Sequence, residues 1–335
     1  DAPLVNTHNI TNIVEVIEEL MQGNILESLA RTKEIKVNLP KIRLNKIIGI
    51  VPIASGCADY CAYCSVKLVK GYIHSYPQKK IIEEIKENLK EGCKEIWVTS
   101  QDNGAYGLED NNYRLADLMK EILKIKNNFK VRLGMLNPKH ALKMLDELIE
   151  IYQDDKMFKF IHLPVESGNN EILTLMNRKY NIFEFKEMID KLRSKVKDIT
   201  IATDMIVGFP TETEIQYHDS LQLIADVKPD ILNISRFHPR PNTKAFKMKQ
   251  IDGLRIKNRS REMTLLFNKI AEKQNKKWLN WEGTILIDGK GKYNTFIGRN
   301  FAYRQVVVRG NFDLGSEVNV KIKEVTAHDL RGEVL

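Results

Sequence analysis

Apolar and polar positions along the chain follow two successive patterns. From 47 to about 235, short apolar runs alternate with stretches of helical periodicity. The runs fall at 47–53, 95–100, 130–134, 159–163, 200–207 and 230–235. The helical stretches lie near 78–91, 114–127, 139–151, 171–195 and 212–227. Near-continuous apolar strands separated by helices predict parallel βαβ units, with the sheet buried on both faces. Six such units make an incomplete β/α barrel, whose chemistry is expected at the C-terminal ends of the strands. After a long helix, about 254–279, the period changes. Short strands at 282–288, 294–299, 304–309, 317–325 and 331–335 are separated by Gly, Asn and Asp. That is the pattern of a small OB-like β-barrel. Residues 9–30 read as one amphipathic helix, followed by a basic linker at 31–46. The chain thus divides at 1–46, 47–279 and 280–335.

Composition narrows the class. Hydrophobic residues make up 43% of 335 positions, enough for real cores. No apolar run approaches the ~20 residues of a membrane span, so a cytoplasmic protein with no membrane partner is expected. There are 52 basic and 44 acidic residues, a net charge of +8, which favours an anionic partner such as nucleic acid. The distribution sharpens this. Lys290, Lys292, Arg299, Arg304 and Arg309 stand between 290 and 312 with no acidic residue among them, interleaved with Tyr293, Phe296, Phe301 and Tyr303. Small barrels often bind nucleic acid on such a face. The stretch 31–46 carries six basic residues and one acid.

The chemistry rests on Cys57, Cys61 and Cys64, spaced C-x3-C-x2-C just after the first strand. A cubane iron–sulfur cluster normally takes one thiolate per iron. Three close cysteines therefore hold three irons and leave the fourth open to a ligand. Structural zinc wants four ligands, usually as two pairs, and Cys93 has no CxxC partner. Four cysteines in a chain of this length are too few for a disulfide framework. Cys93 reads as a small buried core residue.

The triplet resembles the signature of radical S-adenosylmethionine (SAM) enzymes. The motifs around it resemble the methylthiotransferase branch: Thr99 to Gly107, Arg132 to Pro138, His162 to Gly168, Met176 to Tyr180, Thr203 to Glu212 and Phe237 to Ala245. The terminal barrel resembles the RNA-binding TRAM domain. The wording from Gly134 to His140 and from Arg240 to Thr243 is similar to the archaeal and eukaryotic members. These act on tRNA, converting N6-threonylcarbamoyladenosine at position 37 to its 2-methylthio derivative. Nearly the whole chain is covered. There are two departures. Family members carry an N-terminal domain whose three cysteines hold a second [4Fe–4S] cluster. No cysteine precedes Cys57, so residues 1–46 read as the remnant of that domain plus the linker. On that reading, this chain cleaves SAM but methylthiolates poorly, and a second cluster is expected only where the domain is present. The other departure is Glu166, where the family more often has Gln.

The resemblance implies roles. Cys57, Cys61 and Cys64 hold the cluster that binds SAM. One electron from a donor cleaves SAM to a deoxyadenosyl radical, which takes hydrogen from C2 of the adenine. A sulfur source and a second SAM complete the group, and no side chain serves as catalytic acid or base. SAM contacts are implied for Tyr63, Gln101, Asp102, Glu166, Ser167, Arg178, Val207, Gly208 and Phe209. Arg178 is matched to its carboxylate, because guanidinium and carboxylate pair in bidentate geometry. The threonylcarbamoyl carboxylate needs a cation or several donors, and Asn137, Lys139, His140 and Arg240 are expected to supply them. A monomer is expected. The competing readings are a methylthiotransferase for isopentenyladenosine tRNA, another radical SAM RNA-modifying enzyme, or a non-catalytic RNA-binding protein.

Overall fold

The computed structural model describes residues 2–110 and 114–335. Six parallel strands form the larger unit: β1 (Ile48–Pro52), β2 (Glu95–Thr99), β3 (Lys130–Leu133), β4 (Phe160–His162), β5 (Thr200–Val207) and β6 (Ile231–Arg236). They pair as two triplets, β1–β2–β3 and β4–β5–β6. A single bridge, Val131 with Met157, and the Leu136 N–H bonded to the His162 carbonyl (2.9 Å) join the triplets into one curved sheet.

Alternation along each strand separates two faces. Val51, Ile96, Val98, Val131, Leu133, Ile161, Ile201, Met205 and Val207 point outward into one core with the surrounding helices. The helices are α3 (Gln78–Lys90), α4 (Leu115–Leu123), α6 (Leu145–Ile151), α8 (Ile182–Lys195), α9 (Glu214–Val227) and α10 (Gly253–Asn275). The inner face departs from the sequence expectation of burial on both sides. Ile50 is 53% exposed, and Trp97, Arg132, His162 and Asp204 are only partly covered. Six strands do not complete the eight of a closed barrel, so the lumen stays open.

Three expected helices are broken. Within 171–195, α7 (Asn170–Leu175) ends before Asn177, whose φ is +60°. Asn181 and Glu184 then start α8 with a reciprocal capping box, which satisfies two otherwise orphaned backbone N–H groups. Within 139–151, α5 (Pro138–Ala141) is separated from α6 by Met144 at φ −133°, ψ 30°. Within 9–30, only α1 (Ile13–Met21) and the short 3-10 turn before it are helical. Gly23 in the left-handed region closes α1. The amides of Asn6 and Asn9 bind the carbonyls of Leu29 and Ala30, which holds the following segment extended. The last described helix of the set, α2 (Val66–Lys70), follows the cysteines. No described helix is long and apolar enough to cross a membrane.

The smaller unit is a closed five-stranded barrel of β7 (Glu282–Lys290), β8 (Thr295–Arg299), β9 (Gln305–Arg309), β10 (Glu317–Val325) and β11 (Leu330–Val334), in the order β7–β8–β9–β11–β10. Its β8–β9 loop meets the N-terminal ends of the large sheet. The Phe301 carbonyl accepts from Lys159 N–H (2.8 Å), and the Ala302 carbonyl from the Thr200 hydroxyl (2.7 Å). Tyr303 packs on Phe158 and Phe160, with centroids 4.8 and 5.1 Å away. The small barrel therefore closes the floor of the lumen, at the end opposite the cysteines.

Candidate functional site

The cysteines occupy the loop that leaves β1. Ala54–Ser55 pairs with His74–Ser75 and turns the chain back. Gly56 follows at φ +75°, where a Cβ would lie 2.3 Å from the Tyr72 carbonyl oxygen. Only glycine fits there. The Cys57 N–H donates to the Gly71 carbonyl (3.3 Å), and Ala62 N–H to the Met176 carbonyl (2.9 Å). All three thiols are half-buried. Arg178 donates to Cys61 Sγ (3.5 Å) and the Val66 N–H to Cys64 Sγ (3.4 Å).

Burial pushes the Cys57 thiol up to about 12 and raises that of Cys61. Thiols in such a place become thiolates only beside a strong cation. Three soft donors on one loop, with no fourth, suit an iron–sulfur cluster that keeps one iron open. Cys93 is 2% exposed, with Sγ 3.6 Å from the Lys46 carbonyl before β1, and so lies at the other end of the sheet.

The loop is held from the side by Asp59, which the motif treats as a variable position. Its carboxylate accepts from Asn137 Nδ2 (2.7 Å), Lys139 Nζ (2.7 Å) and His140 Nε2 (3.0 Å). The His140 and Lys139 partners hold it well below the usual carboxylate range in spite of burial. This corrects the expectation for Asn137, Lys139 and His140: they grip a carboxylate of the protein itself. Arg240, by contrast, is exposed beyond β6. Asp102 is 3% exposed and accepts the backbone N–H groups of Gly104 and Asn137, each at 3.0 Å. It shapes this corner from within the protein, whereas Gln101 beside it stays partly exposed.

A second group converges on the cysteines from β4 and the α7–α8 turn. Glu166 has φ +71° and accepts from the Tyr63 hydroxyl (2.9 Å). Burial raises the pKa of both. Arg178 donates to Tyr180 Oη (2.9 Å) and the Pro164 carbonyl (2.8 Å) as well as to Cys61. Its guanidinium is thus aimed at the cluster loop. Ser167 is buried and accepts the Asn169 N–H. Val207 belongs to the outer core. Gly208 turns at φ +80°, where a Cβ would come within 2.5 Å of Ile256. Its N–H donates to Glu212 (3.0 Å), which pairs with Arg259 (2.8 Å). Phe209 is fully buried and packs with Ala62 and Met176 under the cysteine loop. Tyr63, Glu166, Arg178 and Phe209 therefore come together, while Ser167 and Val207 face away into packing.

Asp59, Tyr180 and Glu212 escaped the sequence reading. A carboxylate inside the cysteine triplet, with a cationic stretch elsewhere in the chain, was the one available signal for Asp59. Among the basic residues of the small barrel, Lys290, Lys292 and Arg309 are exposed. The Arg299 side chain is 23% exposed and pairs with Asp288 (2.9 Å). Arg304 departs from the expectation of a phosphate contact. It is 5% exposed, bonds to Asn275 and the Asp230 carbonyl, and ties the barrel to the large sheet.

The radical SAM superfamily profile matches residues 51–224 and the TRAM domain profile residues 282–335. The chain is 39% identical to a probable threonylcarbamoyladenosine tRNA methylthiotransferase of Pyrococcus abyssi, over 99% of this chain and 78% of that one. It is 34% identical to the threonylcarbamoyladenosine tRNA methylthiotransferase of Drosophila melanogaster, over 99% of this chain and 62% of that one. The fold is similar to that of the radical SAM coproporphyrinogen III oxidase of Escherichia coli, with a TM-score of 0.51 and 16% identity over 83% of this chain and 67% of that one.

Proposed function

The chain belongs to the radical SAM superfamily and, within it, to the threonylcarbamoyladenosine tRNA methylthiotransferases, and on that basis we propose that it converts N6-threonylcarbamoyladenosine at position 37 of tRNA to the 2-methylthio derivative. The observation that carries this reading is the cysteine loop at the C-terminal end of β1, braced by Asp59 and Arg178 and facing an open polar lumen. C2 of adenine carries an unactivated C–H bond, which side-chain acids and bases cannot break usefully. The bound cluster and SAM supply the one-electron chemistry such a bond requires.

The protein's own residues position the reactants. Cys57, Cys61 and Cys64 are the cluster ligands. Arg178 holds the loop through Cys61 and would supply the cation for the SAM carboxylate, since guanidinium and carboxylate pair in bidentate geometry. Glu166 is oriented by Tyr63 and meets the ribose. Gln101 lies at the end of β2, where the SAM amino group is expected. Phe209 and the Gly208 turn would support the cysteine loop from beneath, on the side where the adenine is expected. Arg240 is the member of the expected set left to meet the threonylcarbamoyl carboxylate.

The domain limits follow as 1–46, 47–279 and 280–335, with the last segment serving tRNA. The working enzyme is a cytoplasmic monomer that takes an electron from a separate donor and sulfur from a separate source. A second cluster is expected only where the family's N-terminal cysteine domain is present.

The test is anaerobic reconstitution followed by iron analysis and tRNA assay. About four irons per chain are expected, together with SAM cleavage that is lost when Cys57, Cys61 and Cys64 are replaced by Ala. A chain that binds no iron, or whose triple variant still cleaves SAM, contradicts the reading.

A further inference from the structure

Beside the cysteine loop lies a cleft of about 460 Å3. Its walls come from the linker at 31–36 and the hairpin that follows α2. Lys36, Lys70, Arg31, Lys33 and His74 line it, together with Tyr72, which is 52% exposed. The cleft is continuous with the cluster loop. Gly71, in its wall, accepts the Cys57 N–H, and Ser55 lines it one residue before Gly56.

Its charge is unbalanced. Two acids line it, and both are turned to the protein. Glu34 accepts the backbone N–H groups of Ile10 and Thr11 at 3.1 and 3.0 Å. Glu109 accepts the N–H and hydroxyl of Ser75 at 2.6 and 2.8 Å. The ammonium groups of Lys36 and Lys70 make no ion pair or hydrogen bond among the described residues, although both side chains are half-buried. Burial lowers the pKa of Lys36, Glu34 pulls it part of the way back, and the Lys70 charge adds a smaller push down. Two half-buried ammonium groups on one cleft, neither held by a carboxylate, are an arrangement that an anion relieves.

The placement of the small barrel adds a second argument. It docks at the N-terminal ends of the strands, a strand length of about 15 Å from the cysteine loop. A nucleic acid held only there would still need anchoring where a nucleotide reacts. We propose that this cleft binds backbone phosphates of the tRNA substrate next to the reacting nucleotide, with Lys36 and Lys70 as the principal contacts and Tyr72 as a stacking surface. The inference rests on the tRNA-modifying function proposed above.

The experiment measures binding of tRNA bearing threonylcarbamoyladenosine to the reconstituted protein by fluorescence anisotropy, from 50 to 200 mM salt. Each phosphate contact contributes about 0.7–0.9 to the slope of log affinity against log salt. For K36A/K70A the slope should flatten by about 1.4–1.8, so the wild type loses roughly tenfold more affinity across that fourfold range. K36R/K70R should keep the wild-type slope, because the requirement is charge. A parallel variant, K292A/R309A, reports on the small barrel. If K36A/K70A binds with the wild-type slope while K292A/R309A does not, the cleft proposal falls and the tRNA function stands. If K36R/K70R is as impaired as K36A/K70A, the residues act through packing and the proposal also falls. If the wild type binds no tRNA, both readings fall.

Discussion

Asp59→Ala removes one carboxylate and strands three donors. Asp59 is 10% exposed, His140 fully buried and Lys139 30% exposed. Breaking a buried ion pair from one side typically costs about 3–5 kcal/mol. Lys139 can turn partly to water, so the low end applies, about 3 kcal/mol. That lowers the closed-to-open ratio of the cysteine loop by roughly a hundredfold. The loss falls on the segment that must present three thiols at fixed separations. Anaerobic reconstitution of the variant should therefore give less iron per chain and weaker cluster absorbance than the wild type, with slower SAM cleavage. Asp59→Asn keeps one acceptor and should lie between the two. His140→Ala removes one donor and leaves the carboxylate paired with Asn137 and Lys139, so its effect on the loop should be smaller than that of Asp59→Ala. Wild-type iron content and cleavage rate in Asp59→Ala would mean that the three hydrogen bonds contribute nothing to the loop.

Three other outcomes are expected. Glu95 is fully buried, and burial pushes its pKa up to about 7 from 4.5; its stabilising, protonated form is complete below about pH 4.5 and lost as pH rises through about 7. Glu95→Gln should therefore be more stable than the wild type at pH 8 by about 3 kcal/mol, or roughly 4 °C in a cooperative melt of this length, with the gap closing toward pH 5; a gap independent of pH would contradict this. Arg304→Ala should lower thermal stability by about 3 kcal/mol yet leave the salt slope of tRNA binding unchanged, and a flattened slope would return Arg304 to the RNA surface. In a competition assay with the full-length enzyme, tRNA bearing threonylcarbamoyladenosine should be modified and tRNA bearing isopentenyladenosine ignored, because the apolar tail offers Arg240 no carboxylate to pair with; equal product from both would overturn the substrate assignment.

The strands were legible because each is a short apolar run, and a run carries its own signal. The breaks in the helices were not. Asn177 and Asn181 interrupt a continuous apolar period, and only the left-handed turn and the capping box reveal why. The cysteines were legible for the same local reason, with three ligands inside eight positions. Their supports were not, since Arg178 reaches Cys61 across 117 positions and Asp59 meets Asn137, Lys139 and His140 across 78 to 81. Arg304 shows the converse error. A basic residue in a basic strand suggested a surface, and its real partners, Asn275 and Asp230, lie 29 and 74 positions away. Periodicity along one strand cannot identify what docks on its end.

Methylthiolation of threonylcarbamoyladenosine in tRNA through Cys57, Cys61 and Cys64 can be read from tRNA nucleosides by mass spectrometry, in cells with and without the gene. Disruption should remove the 2-methylthio nucleoside and let its threonylcarbamoyladenosine precursor accumulate, reversed by the intact gene and not by one in which the three cysteines are changed to Ala. An unchanged nucleoside profile after disruption, or rescue by the cysteine variant, would contradict it.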